Sequence, residues 1–296
     1  MKKVKLVYFS GTGGTERFTL LLEKNLKNRN CEVQVLPLEV KAIERAKKDG
    51  TFGIDSIDII VLLFPVHAFD APEPVYSWIK TLPLGNGLPA AVISVSAGGE
   101  YWMNKASRYG SIKALTLKGY DVLYERMVIM PFNMLVATSD TISMRLLQVL
   151  PIKAENTAAE ILSMKPRRTF PPLKSRVLTY ICKTEKIWAK FFGKELTARK
   201  SCTHCGLCAH NCPGGNIQMK NGKPQFGWHC IACLRCIYTC PANSIYPRIS
   251  RFMVVRGGYD LKRLEKQMES VTLEPDDKLA SGSYSIFKDY LQKEDT

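Results

Sequence analysis

Short, almost wholly apolar runs recur through the first half of the chain, and each ends in a polar turn. They are KVKLVYFS (3–10), CEVQVLPL (31–38), IDIIVLLF (57–64), AAVISVS (90–96) and DVLYERMVIM (121–130). Between them lie stretches with helical spacing of apolar positions: TERFTLLLEKNLKN (15–28), APEPVYSWIKTL (71–82) and KAENTAAEILSM (153–164). Strands apolar on both faces need cover on both faces, so alternation with helices predicts an α/β fold with a doubly wound parallel sheet. At KPRRTFPPLK (165–174) prolines end the regular pattern. The following segment, 174–196, reads as one amphipathic helix, with Val177, Ile181, Trp188 and Phe192 on a stripe and Leu178 and Phe191 beside it. The expectation is that this stripe packs between domains and leaves a wet lysine face. The alternative is that the helix lies on an anionic membrane. The tail has helical stretches at 259–270 and 284–293, expected to pack on the core and cover the small module before them.

Composition changes this picture in two places. The 296 residues carry a net charge of +15, and the excess is local. Residues 165–200 hold eleven basic and two acidic side chains, and residues 201–250 hold no Asp or Glu at all. Such a balance suggests a redox partner with an acidic docking face. Nucleic acid is disfavoured, because no helix-turn-helix, RNP or zinc-finger pattern accompanies the charge. The second anomaly is cysteine: eight of ten fall between residues 202 and 240. The N-terminus has no secretory pattern and no window approaches a membrane span, so a reducing, cytoplasmic setting is expected. There, clustered thiols read as metal ligands. Cys31 and Cys182 stand apart and are expected to be small buried hydrophobes.

CTHCGLCAHNCP (202–213) and CIACLRCIYTCP (230–241) repeat the spacing C-x2-C-x2-C-x3-C-P. Three close cysteines can wrap one cubic cluster, and the fourth is placed to reach the other. This assigns Cys202, Cys205, Cys208 and Cys240 to one [4Fe–4S] cluster and Cys230, Cys233, Cys236 and Cys212 to a second. Zinc is the competing metal, with His204, His210 and His229 as spare ligands, but two complete triple-plus-one runs fit it poorly. The segment resembles the bacterial 2[4Fe–4S] ferredoxins, although members of that family tend to be acidic.

The first apolar run ends in SGTGGTE. Small residues between a strand and a helix N-terminus form a phosphate site, where backbone amides converge on the anion. Glu16 replaces the third glycine of a dinucleotide fingerprint and no Lys-Ser/Thr follows, so neither that motif nor a P-loop fits. The hydroxyls of Ser10, Thr12 and Thr15, with Gly11, Gly13 and Gly14, suit a terminal monophosphate.

SGTGGTE also resembles the flavodoxin phosphate loop, with Gly14 where that family often has Asn. The resemblance covers residues 1 to about 164 and implies strand order 2-1-3-4-5 with FMN at the carboxyl ends of the strands. It further implies isoalloxazine contacts from Pro65, Val66, His67, Ala68 and Phe69 on one side, and from Gly98, Gly99, Tyr101 and Trp102 on the other. His67 is read as a plain loop residue or as a proton donor beside the flavin. The whole chain resembles flavodoxin–ferredoxin fusions of anaerobic bacteria and archaea. Its expected divisions are 1–164 (flavodoxin-like), 165–196 (basic linker), 197–250 (ferredoxin) and 251–296 (C-terminal extension). That resemblance implies an electron carrier joining FMN to two clusters in low-potential metabolism. A reductase acting directly on a small organic substrate ranks second, because no insertion builds a substrate pocket.

Overall fold

A computed structural model describes residues 1–50, 52–270 and 285–292 of the chain. Five parallel strands form the main sheet: β1 (Lys3–Tyr8), β2 (Glu32–Pro37), β3 (Ile59–Pro65), β4 (Pro89–Ser96) and β5 (Asp121–Ile129). Their order is β2-β1-β3-β4-β5, as the flavodoxin resemblance implies. The order reverses beside β1, so a crevice opens at the carboxyl ends of β1 and β3, where α/β sheets place their ligands. Helices α1 (Gly14–Asn28) and α5 (Asp140–Leu162) cover one face; α2 (Val40–Lys48), α3 (Glu73–Thr81) and α4 (Tyr109–Leu117) cover the other. Alternate residues of each strand feed the two cores: Val4 and Leu6 point to one, Val7 and Phe9 to the other. Helix α5 begins well before the 153–164 stretch, because it runs through Pro151 instead of starting beyond it. One lost backbone bond is tolerated where Leu146, Leu147, Leu150 and Ala154 bury a long apolar face.

The linker is pinned to the open edge of the sheet. Arg167 forms a parallel bridge with Tyr124, and the Arg168 guanidinium donates to the buried Glu125 carboxylate at 3.2 Å. Glu125 also accepts from Arg108 at 2.8 Å, so a buried acid on β5 anchors the linker's start. Beyond it lie α6 (Leu173–Ile181) and α7 (Glu185–Glu195), separated by a tight turn at Cys182–Thr184 where one continuous helix had been expected.

The cysteine-rich module follows the internal repeat. Short helices α8 (Leu207–His210) and α9 (Arg235–Tyr238) each start after a left-handed residue, Gly206 in the first and Leu234 in the second. Strands β6 (Leu196–Ala198) and β9 (Ile245–Pro247) pair antiparallel, and β7 (Ile217–Lys220) pairs with β8 (Lys223–Phe226). Phe192, Leu196, Ala232, Leu234, Ile237 and Ile245 make its small core. Helix α7 supplies part of that core, consistent with a module too small to close on itself.

Two expectations need correction. The tail does not mainly cover the cysteine module. Helix α10 (Leu261–Met268) buries Leu261 and Leu264 in the sheet domain's core, and Phe287 and Leu291 pack with Ile142 and Leu146 of α5. Among the described residues, Met253 and Val254 reach the cysteine module's core, and Val255 and Tyr259 touch its Tyr238. The physical reason is area: α5 presents a long apolar groove, whereas the small module offers little. Residues 271–284 and 293–296, part of the predicted tail helix, lie outside the described residues. The second correction concerns the stripe on 174–196. Val177, Ile181 and Phe191 are exposed, whereas Ser175, Thr179, Ala189, Phe192 and Gly193 are buried. Cys182 is half-buried, not buried.

Candidate functional site

The structure gathers the eight clustered cysteines into two groups. Cys202, Cys205, Cys208 and Cys240 line one void; Cys212, Cys230, Cys233 and Cys236 line another. Each group takes three residues from one run and the fourth from the other. Among the described residues, no three His, Cys, Asp or Glu side chains converge as single-ion ligands do. Thiols around a void instead of a point suit a polynuclear cluster. His204, His210 and His229 are exposed, and of the three only His229 lines one of the two voids. His204 pairs with the Gly222 carbonyl and His210 with Asn211.

The repeat extends to the hydrogen bonds on sulfur. The Asn216 amide donates to Cys212 Sγ at 3.2 Å, and the Ser244 amide donates to Cys240 Sγ at 3.3 Å. Each lies four residues beyond the fourth cysteine of its run, so the turn after each proline aims an amide at a ligand sulfur. Such bonds stabilise thiolate charge and bear on cluster potential. The two sets differ in exposure. Burial pushes the Cys230 thiol up to about 12 and Cys233 to about 11, whereas Cys205 is exposed.

The second cysteine set sits directly on the phosphate loop. A methyl group at Gly11 would lie 2.8 Å from the Cys233 carbonyl oxygen, so glycine is needed for this approach. Arg235 stands between Cys233 and Cys236 in sequence. It donates to the Ser10 carbonyl at 2.6 Å, the Gly11 carbonyl at 3.0 Å and the Asn211 carbonyl at 3.1 Å. It also pairs with Glu39 at 2.6 Å. One guanidinium thus ties the loop to both cysteine runs. Tyr238 adds a second tie, its hydroxyl donating to the Asn133 carbonyl at 2.8 Å, while Asn133 donates to Thr12 Oγ1 at 2.8 Å.

The loop itself carries amides without acceptors. Gly13 is left-handed at φ 93° and caps α1. The Glu16 amide is taken by Ser10 Oγ, and the Arg17 amide by the Gly13 carbonyl. The amides of Gly11, Thr12, Gly13, Gly14 and Thr15 have no acceptor among the described residues. A run of unpartnered amides at a helix N-terminus fits a phosphate.

The two further predicted loops lie at the ends of β3 and β4, and α6 bridges them. Ser175 Oγ donates to the Trp102 carbonyl at 2.6 Å and Thr179 Oγ1 to the Phe69 carbonyl at 3.0 Å. Pro65 ends β3, the Val66 amide donates to the Val95 carbonyl, and Ala68 and Phe69 turn through positive φ. Ser96 and Asn104 hold the second loop by hydrogen bonds to Gly98 and Gly99. Tyr101 is exposed, and Trp102 lies beneath Lys174.

His67 packs edge-on against Phe9, with Glu185 of α7 at 4.0 Å. Burial lowers His67 to about 4, and burial, helped by the neighbouring Asp70 charge, raises Glu185 to about 7 against the opposing effect of Lys186. The pair is therefore no ion pair at neutral pH: the imidazole is uncharged and the carboxyl half-protonated. His67 has no imidazolium proton to give at that pH. A carboxyl whose folded value lies above its ordinary 4.5 contributes stability below that value and loses it as pH rises through about 7. Glu185→Gln is expected to abolish that loss, gaining roughly 2–3 kcal/mol over the native protein above pH 8 and nothing at pH 4. Urea unfolding at the two pH values measures it; parallel pH profiles would refute the assignment.

Sequence inspection missed Arg235, Glu39, Asn133 and Glu185. Arg235 is a spacer residue of its cysteine run, and the others belong to loops or to a linker. No local spacing marks any of them.

Residues 195–241 match the family described as 4Fe-4S dicluster domain. No curated protein matches the chain. Among solved structures, a flavodoxin from the domain Archaea shares 13% identity over 54% of this chain and 99% of its own, with a TM-score of 0.35. A Streptococcus pneumoniae flavodoxin shares 15% identity over 54% and 98%, with a TM-score of 0.38. The rubredoxin oxygen:oxidoreductase of Desulfovibrio gigas shares 14% over 55% of this chain and 37% of its own, with a TM-score of 0.37. The chain thus joins a sheet domain of flavodoxin-like strand order to a 4Fe-4S dicluster segment.

Proposed function

We propose that this chain is an electron-transfer protein of low-potential anaerobic metabolism, carrying FMN on Ser10–Thr15 and one [4Fe–4S] cluster in each four-cysteine group. Bound there, the clusters would exchange single electrons, and FMN one or two, so the chain would convert between two-electron and one-electron chemistry.

The observation that carries the reading is the contact of Cys233 and Arg235 with Gly11 and Ser10. This contact supports the reading because a cluster held by Cys233 would then abut a nucleotide held by the loop, with packed protein between them. The first group includes the exposed Cys205, so a centre there would be the exit to a partner. Exposed Cys205 and acid-free surroundings support an acidic partner at that end. Helix α6 supports a carrier over a direct reductase. It spans the two loops expected to hold the flavin ring and is bonded to a carbonyl of each.

Of the protein's own groups, the five free amides and the Thr12 and Thr15 hydroxyls would hold the phosphate. Thr12→Ala with Thr15→Ala is expected to weaken flavin retention about tenfold or more, the worth of one or two hydrogen bonds to a charged group. Iron and sulfide content should be unchanged. Anaerobic purification followed by iron, sulfide and flavin assays tests this. Undiminished flavin affinity would remove the phosphate loop from the reading, and absent flavin in the native protein would remove FMN altogether.

A further inference from the structure

Helix α6 is amphipathic in the reverse sense for a soluble domain, and α7, which buries Ala189 and Phe192, also keeps apolar side chains on its outer face. On α6 the side chains turned inward are Ser175 and Thr179, both bonded to loop carbonyls. Leu173, Val177, Tyr180 and Ile181 fall on the opposite face at helical spacing, and Ile187 and Phe191 continue it on α7. All six are between 49% and 74% exposed. Trp228 of the cysteine module extends the strip, meeting the Phe191 ring edge-on at 5.4 Å. A run of large exposed apolar side chains on neighbouring helices is an interaction surface and not ordinary scatter.

The charges beside the strip identify its occupant. Lys174, Lys183, Lys190 and Lys194 flank the apolar positions and are exposed. None has a carboxylate partner among the described residues; Lys174, Lys183 and Lys194 lie over the rings of Trp102, Tyr180 and Trp228. The two acids of the segment are spoken for: Glu185 is sequestered beside His67, and Glu195 accepts the Ile249 and Ser250 amides. The face is therefore apolar and aromatic along its centre and cationic along its margins, and among the described residues the one carboxylate paired to a lysine of α7, Glu73, is held by Lys186. A second copy would bring the same unpaired lysines against these, and like charge opposes that pairing. An anionic lipid surface complements both features, taking the rings and aliphatic chains below the headgroups and the ammonium groups among the phosphates. No helix of the described residues is long and apolar enough to cross a membrane, so the contact would lie in the interface plane.

We propose that the outer face of α6 and α7, with Trp228, seats the protein on anionic membranes. It would hold the cysteine module and both loops bridged by α6 near the bilayer surface.

The test is co-sedimentation of the anaerobically purified full chain with vesicles of phosphatidylcholine alone, or containing about 30% phosphatidylglycerol. The chain is expected to partition about tenfold or more better onto the anionic vesicles, and to lose most of that gain at about 0.5 M salt. Lys190→Gln with Lys194→Gln should lower anionic binding about tenfold. Ile181→Ser with Phe191→Ser should lower it by a similar factor while leaving iron content and circular dichroism unchanged, since both side chains already face water. Equal partition onto the two vesicle types, or full binding by the serine variant, overturns the proposal. So does a lipid-free dimer that the serine variant dissociates. A chain indifferent to vesicles that binds an acidic ferredoxin through these residues also overturns it, and assigns the face to a protein.

Discussion

Replacing Cys212 with alanine is expected to strip the protein of about half its iron and sulfide, and the half lost is that of Cys230, Cys233 and Cys236. The residue lies in the first cysteine run, yet its sulfur faces the void lined by the second. Three thiols cannot close a four-cornered site, and nothing stands in: His229 also lines that void but is exposed. The converse variant, Cys240→Ala, should cost the group of Cys202, Cys205 and Cys208. The two losses should differ in their reach. Cys233 packs against Gly11, so emptying its group disturbs the nucleotide loop, and Cys212→Ala should also shed flavin faster. Cys240→Ala leaves that contact alone and should retain flavin as the native protein does. Cluster-specific EPR with parallel iron and flavin assays decides. Loss of the nearer group in either variant would refute the crossed pairing.

Arg235→Ala is expected to loosen the cysteine module from the sheet domain by about 2–4 kcal/mol. The change leaves three carbonyls without their donor and Glu39 without its partner in a largely enclosed seam. Flavin retention should fall about tenfold or more, because the carbonyls that Arg235 holds shape the loop whose amides would take the phosphate. A second consequence separates charge from scaffolding. The guanidinium is next to Cys233, and its positive charge favours the more reduced, more negative state of a cluster held there. Arg235→Ala should therefore make that potential more negative. Arg235→Lys keeps the charge but cannot fork to three carbonyls and a carboxylate, so it should preserve the potential while still weakening the domain contact. Redox titration of both variants, with limited proteolysis across 196–235, tests the split. An unchanged potential in the alanine variant would leave Arg235 a purely mechanical role.

The legible part of this fold is the part written in consecutive residues. Val4, Leu6, Val7 and Phe9 announce a strand buried on both faces because burial there depends only on position along one short run. The cysteine spacing is equally local: loop length alone decides which sulfurs can share one cluster and which must cross over. Helix α5 was only partly legible, because Pro151 reads as a stop and its cost is offset by a groove that later packs against Leu261 and Phe287. The phosphate loop was legible as a strand–glycine–helix junction, whereas its neighbours were not. Arg235 reaches Ser10 and Gly11 across most of the chain, and no periodicity records a partner so distant.

The linker shows most plainly where local information stops. Its heptad-like stripe says that one side of the helix is greasy and the other charged, and solvent alone would turn the greasy side in. The fold split it: Trp188 and Phe192 pack into the cysteine module's core, whereas Val177 and Ile181 of α6 face out. The loops after β3 and β4 end in carbonyls that need donors, and Ser175 and Thr179 supply them, so hydrogen bonding to fixed backbone oriented the helix against its own amphipathy. Periodicity and ligand spacing are properties of neighbours in the chain and can be read there. Which face meets which carbonyl, and which arginine closes which loop, are properties of neighbours in space. Those exist only once the sheet has brought its strand ends together.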